Sequence, residues 1–395
     1  MKLEFRFINF VLSFSYFTIH SRFFVLNLMA LLNTFGFFMS ALLISNFFMK
    51  SEPLLPQKKE FREINFLRGL AISGIVCIHI DSYFAFYRPS DEFRIITLSI
   101  SNLSRFSVPI FILSSGYLLR IGTSFWKNKL VHLFLPYILI SIPGYFAKTQ
   151  EFNRDAMDYL LKLVTGRILE PYYFVPLLAG YYLIFWTFHR NFFSLSTMNK
   201  FGIVILSLFI QLISNYHFPT FLASYRSFFP TEYIFYFFVG MFLREVSLKK
   251  NYLQKFFLLN TFLISMITVF VLIYTLETYQ ALPNNLFFLP LGIWLLFLPR
   301  PDLKFYPELL NHRSVFLRFI MKSFETIGRY SLSIFLIHPL IIHYMHSFDP
   351  HILGGRTISY FLTWTINIAL PLIIHRTIYL SIEGIQSIRE KNLDQ

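Results

Sequence analysis

The sequence predicts an all-α, polytopic membrane helix bundle with about 10 core transmembrane helices, and three observations carry that prediction. Hydrophobic residues make up 55% of the 395 and charged residues only 14%, with a mean hydropathy of +0.55; a soluble domain carries about 25% charge. Apolar stretches of roughly 18 to 25 residues recur along the chain, each long enough to cross about 30 Å of hydrocarbon as a helix. Lysines and arginines gather in alternate connecting segments, as the positive-inside rule requires.

The apolar periodicity places core spans near 64–86, 95–119, 130–147, 172–188, 201–216, 231–243, 256–275, 285–299, 325–347 and 357–380. With residue 64 on the cytoplasmic side, the inner segments hold 21 Lys and Arg and the outer ones 8. Both core termini are therefore expected in the cytoplasm. Residues 49–63 read as a cytoplasmic lead, 64–385 as the membrane domain and 386–395 as a cytoplasmic tail. Residues 1–48 form a hydrophobic N-terminal extension with three readings. It is an eleventh helix, a signal-like segment without a tidy small-residue cleavage site, or a stretch ahead of a true start at Met49.

The net charge of +14 does not point to nucleic acid, because the basic residues sit in short loops where topology and membrane lipids explain them. Cys77 is the only cysteine, so an intramolecular disulfide is excluded.

In "FLRGLAISGIVCIHI", residues 66–80, Arg68 and His79 interrupt an apolar run. Such residues in a span usually face the protein interior or an aqueous cavity and have a task there. Eleven steps of about 100° return a helix to within about 20° of its starting direction while rising about 16 Å. One face of the first span thus carries a cation at one mouth and a titratable base deep inside. Asp81 lies about 200° around from His79 and cannot share that face. The same pattern also suits a snorkelling arginine and a buried histidine bonded to a neighbouring helix.

The second span, "SNLSRFSVPIFILSSGYLLR", places Arg105 in an uncharged setting. Pro109 frees a backbone carbonyl, and Ser115 and Gly116 allow close approach of another helix, so this reads as a cavity wall or as ordinary transmembrane kinking and packing. "SFWKNKLVHLFLPY" then brings Lys127, Lys129 and His132 to the entrance of the third span. With Arg120 and Arg68 they form a cationic group suited to a polyanion, and equally to lipid headgroups. The late histidines His338, His343, His346 and His351 raise a metal or haem site. No pair has the i, i+4 spacing and no carboxylate pattern accompanies them, so no metal is expected.

Together these segments resemble the acyltransferase-3 family of integral-membrane O-acyltransferases. "INFLRGLAISGIVCIH" has the family's arginine, ten residues, then histidine, and "SRFSVPIFILSSGYLL" is similar to its second-helix signature. Weaker echoes follow in order: "FWKNKLVHLFLPY", "PYYFVPLLAGYYLIFW", "FYFFVGMFL" and "YSLSIFLIHPLI". The likeness covers about residues 60–385. Two departures stand out: Lys129 and His132 replace an Arg-x-x-Arg pair, and Tyr173 replaces a frequent Trp.

The resemblance implies transfer of an acyl group, most commonly acetyl, from cytoplasmic acyl-CoA to a hydroxyl of a cell-surface or lipid-linked carbohydrate, in the cytoplasmic (inner) membrane. It implies that Arg68, with Arg120, Lys127, Lys129 and His132, receives the coenzyme's anionic part. His79 then serves as general base or as an acyl-carrying nucleophile, and Arg105 polarises the thioester carbonyl or neutralises the oxyanion. The competing expectation is a multi-span transporter or flippase; such proteins often show paired repeats with broken helices, and no correspondence between the two halves is evident.

Overall fold

The computed structural model describes residues 62–83, 92–148, 155–219, 226–245, 250–282, 290, 293, 314–345 and 356–393. Among these the regular structure is helical throughout. The extension 1–48, most of the lead 49–63 and the span expected at 285–299 lie outside the described residues, apart from single helical positions at 290 and 293.

Helix α1 (Arg62–Tyr83) is the central element, packed against α2, α3, α11, α12 and α13. Helices α2 (Glu92–Leu103) and α3 (Ser107–Leu118) are joined by a 3₁₀ turn at Ser104–Phe106 and together form one span, Phe93–Leu118. Pro109 has no N–H, and its ring crowds the carbonyl of Arg105, so the ladder tightens just before it. Ser107 Oγ donates to the Ser104 carbonyl at 2.6 Å within this break.

The next span runs from α4 (Phe125–Lys129) through a π turn at Leu130–Phe134 into α5 (Leu135–Lys148). Pro136 lies two residues past the π turn, and a proline there cannot bond the carbonyl of His132, which favours the wider turn. Helix α6 (Ala156–Thr165) starts on Asp155, whose side chain accepts from Met157 N at 2.9 Å. It stops at Gly166, held at φ 68°, where a Cβ would overlap the Tyr173 backbone. After a 3₁₀ turn at Glu170–Tyr173 comes α7 (Phe174–Ser194); α6 and the helix Glu170–His189 meet at 67°.

Helices α8 (Thr197–His217), α9 (Ile234–Glu245), α10 (Lys250–Thr278), α11 (Val315–Arg329), α12 (Ser331–Met345) and α13 (Arg356–Leu393) complete the described chain. Among the described residues five helices are long and apolar enough to cross a membrane: Arg62–Ser82, Phe93–Leu118, Phe125–Lys148, Thr197–Asn215 and Ile358–Leu380. The bent pair adds a sixth, and Ile234–Arg244, Ile264–Thr278 and Ser331–Met345 are shorter apolar helices at positions where spans are expected. Rows of exposed apolar side chains such as Phe201, Leu206, Phe209 and Ile213 on α8 suit contact with lipid.

One boundary differs from expectation. The span read at 325–347 begins only at Ser331, because 325–329 belong to α11, whose buried face of Met321, Phe324 and Ile327 packs on α1. That crossing is close: a Cβ on Gly69 would overlap the Phe324 carbonyl, and one on Gly328 the Asn65 carbonyl. Small residues at both contact points let the two backbones touch. Arg62 adds a bidentate pair to the buried Glu325, Nε to Oε1 at 2.9 Å and Nη2 to Oε2 at 3.0 Å. Helices α3 and α9 meet in the same way through Gly116 and Gly240, each positioned against a carbonyl of the other helix.

Candidate active site

A cavity of about 580 Å³ opens where α1, α3, α4, the π turn, α7 and α12 converge. Arg68, Arg120, Lys129 and His132 line it, along with Ser114 and Ser115, and its aromatic wall is Phe111, Phe125, Phe174, Tyr182 and Phe335. The fold explains why distant segments supply these groups. Arg68 projects from α1, Arg120 follows the end of α3, and the π turn sets His132 one register step away from where a regular helix would carry it.

Two of the cations lie over aromatic rings. The Arg68 guanidinium carbon is 5.8 Å from the Phe111 centroid, and Lys129 Nζ is 4.2 Å from that of Tyr182 and 5.6 Å from that of Phe125. Arg244 donates to the Leu119 carbonyl at the end of α3 and so fixes the rim of the cavity to α9. Lys127 is different. It is exposed on α4 and is not among the lining residues. Four of the five residues expected to form a cationic group are thus on one cavity, and the fifth points elsewhere.

His79 and Arg105 do not line this cavity. His79 lies further along α1, in ring contact with His338 of α12, the centroids 5.5 Å apart and the planes tilted by 37°. A run of ring contacts links it back to the cavity wall: Phe111 to Phe174 at 5.9 Å, Phe174 to Phe335 at 5.3 Å, and Phe335 to His338 at 6.2 Å. Arg105 sits in the 3₁₀ turn between α2 and α3, its Nε 3.4 Å from Asn102 Oδ1 and its charge within electrostatic range of Asp81, Tyr173 and Tyr233. Asp81 accepts from Thr97 Oγ1 at 3.0 Å. The fully buried Asn102 ties this layer to the end of α10, donating to Thr275 Oγ1 at 2.9 Å and accepting from Leu282 N at 2.8 Å.

Pro109 and Gly116 are buried in α3, and only Ser115 of the three residues read as a structural motif faces the cavity. Among the described residues no group of three or more His, Cys, Asp or Glu is arranged to hold a metal ion. The late histidines separate: His338 meets His79, His343 Nε2 bonds the Ala147 carbonyl at 3.1 Å, and His346 and His351 lie outside the described residues. In the sequence His338 stands out only among the late histidines, and its contact with His79 is made by the fold. The available signal was a titratable residue in the uncharged stretch "YSLSIFLIHPLI".

A family model described as an acyltransferase domain, acyltransferase-3, matches residues 61–376. The chain belongs to this family. Neither the curated proteins nor the solved structures contain a significant match to it. This acyltransferase-3 protein is accordingly a membrane acyltransferase, and its matched region holds the cavity, the histidine pair and the Arg105 layer alike. Within that region α1 supplies Arg68 to the cavity and carries His79 further along the same helix.

Proposed function

We propose that this membrane acyltransferase moves an acyl group, most commonly acetyl, from acyl-CoA to a hydroxyl of a cell-surface or lipid-linked carbohydrate. The observation that carries the reading is the convergence of Arg68, Arg120, Lys129 and His132 on one cavity with an aromatic wall. Phosphates are held by Lys and Arg as point charges or forks, and rings suit a base and a flat thioester. The Arg68 end of α1 faces the cytoplasm, where the donor is made, in keeping with the excess of Lys and Arg in the inner segments. Both termini of the membrane domain lie on that side of the inner membrane.

In the reaction the acceptor hydroxyl gives its proton to His79 as its oxygen attacks the thioester carbonyl. The carbon–sulfur bond breaks, and the coenzyme thiolate takes the proton back from His79. In the covalent variant His79 attacks the thioester carbon and the coenzyme leaves as its thiolate; the acceptor hydroxyl then takes the acyl group as the bond to His79 breaks, and its proton passes to the thiolate. Arg105 offers positive charge to the developing oxyanion. Lys127, exposed and off the cavity, has no part in donor binding.

The test uses purified protein in liposomes with radiolabelled acetyl-CoA and a crude pool of lipid-linked and surface glycans from the host. Label transfer by the wild type that disappears in a folded His79→Ala protein supports the reading. Full transfer by His79→Ala removes His79 from it. No turnover and no acyl-CoA binding by either protein, with succinyl-CoA and longer donors included, favours a transporter instead.

A further inference from the structure

We infer that His338 is a positioning residue for His79. The inference rests on the catalytic reading of His79 above and adds a residue that neither the family match nor the sequence motifs assign.

His338 is fully buried in α12, and its Nδ1 lies 2.8 Å from the Ile334 carbonyl oxygen. A carbonyl only accepts, so Nδ1 carries the proton, and in the neutral ring Nε2 holds the lone pair. Nε2 is buried and has no hydrogen-bond partner among the described residues. A buried polar atom left this way is uncommon and calls for an explanation. The ring of His79 lies 5.5 Å away, within reach of one hydrogen bond or one bridging water.

The surroundings hold His338 still. Tyr172, itself fully buried, donates its hydroxyl to the Leu336 carbonyl at 2.7 Å, and His343 pins the far end of α12 to Ala147 at 3.1 Å. Phe335 packs against the His338 ring from the cavity side at 6.2 Å. An acceptor fixed in this way sets which nitrogen of its partner bears the proton. In the reacting protein His338 Nε2 accepts the N–H of His79 through a small approach of the two rings or one bridging water, and that choice of tautomer puts the lone pair of His79 on its other nitrogen, toward the acceptor hydroxyl or the thioester carbon. This is the role of the third group behind a catalytic base, filled here by a neutral imidazole, which brings no second charge into a membrane interior.

Four variants in the labelled acetyl-CoA assay decide the matter. His338→Gln keeps an acceptor near the place of Nε2; His338→Asn keeps one only near Nδ1; His338→Leu keeps none and His338→Met only a weak thioether sulfur, and the adaptable Met covers the case in which Leu does not fold. The expected result is a fall in kcat of about 10²- to 10⁴-fold for Asn, Leu and Met, the range for loss of acid–base assistance. KM for acetyl-CoA should stay within about twofold, and Gln should restore kcat to within about tenfold of wild type. Wild-type kcat in the Leu or Met protein, or equal impairment of Gln and Leu, would overturn the inference, since packing alone does not distinguish an acceptor from a methyl group. Full activity in His79→Ala would bring down the assignment of His79 and this inference together, whereas loss in His79→Ala with wild-type kcat in His338→Met brings down this inference alone.

Discussion

The two ends of α1 differ in what surrounds their polar residues. Around Arg68 the neighbours are cations, hydroxyls and aromatic faces on an open cavity of about 580 Å³. Around His79 they are the buried imidazole of His338 and, on the opposite side of the helix, the hydrogen-bonded layer of Asp81, Thr97 and Asn102 with Arg105. The first setting suits holding a large anion that comes and goes. The second suits handling a proton, where water would compete and geometry must be exact within a fraction of an ångström. One helix thus carries the two settings about three turns apart, and the ring contacts from Phe111 to Phe335 join them.

Substitutions at the two ends should therefore split binding from turnover. The largest effect is expected from His79→Ala, about 10²- to 10⁴-fold in transfer rate with acyl-CoA affinity retained, measured by single-turnover label transfer. Next comes the crossing that holds both ends in place. Gly328→Val drives side-chain atoms into the Asn65 carbonyl of α1, and overpacking of this kind costs about 1–3 kcal/mol, read as a lower melting temperature in detergent and reduced yield. Arg68→Ala should raise KM for acetyl-CoA about 10- to 100-fold, the weight of a hydrogen bond to a charged group, with kcat changed far less. Lys129→Ala, which also loses its ring contacts with Tyr182 and Phe125, should raise KM about tenfold. The smallest change belongs to Lys127→Ala: two positions along the same helix but exposed, it should alter KM by about twofold or less. Equal effects of the two lysines would remove the cavity from the binding step.

Much of this was legible in the sequence. The Arg68–His79 face follows from helix periodicity alone, and the cavity gathers Arg120, Lys129 and His132 from the segments that carried the cationic pattern. Two things were hidden for physical reasons. Whether Lys127 or Lys129 faces the cavity depends on where α4 passes into the π turn, and that register is set by the ladder around Pro136 rather than by composition. The pairing of His338 with His79 joins residues far apart in the chain, and depends on α12 starting at Ser331 instead of continuing from α11. The break at Tyr330 exists because α11 turns its buried face to α1 at Gly69 and Gly328, a tertiary contact that leaves no local signature.

The most direct measurement of the division along α1 is equilibrium binding of acetyl-CoA to purified wild-type, Arg68→Ala and His79→Ala proteins, alongside label transfer by the same preparations. Binding weakened about 10- to 100-fold in Arg68→Ala and unchanged in His79→Ala, with transfer abolished in the latter, is the predicted result. Affinity lost on removing His79, or unaltered on removing Arg68, would contradict it.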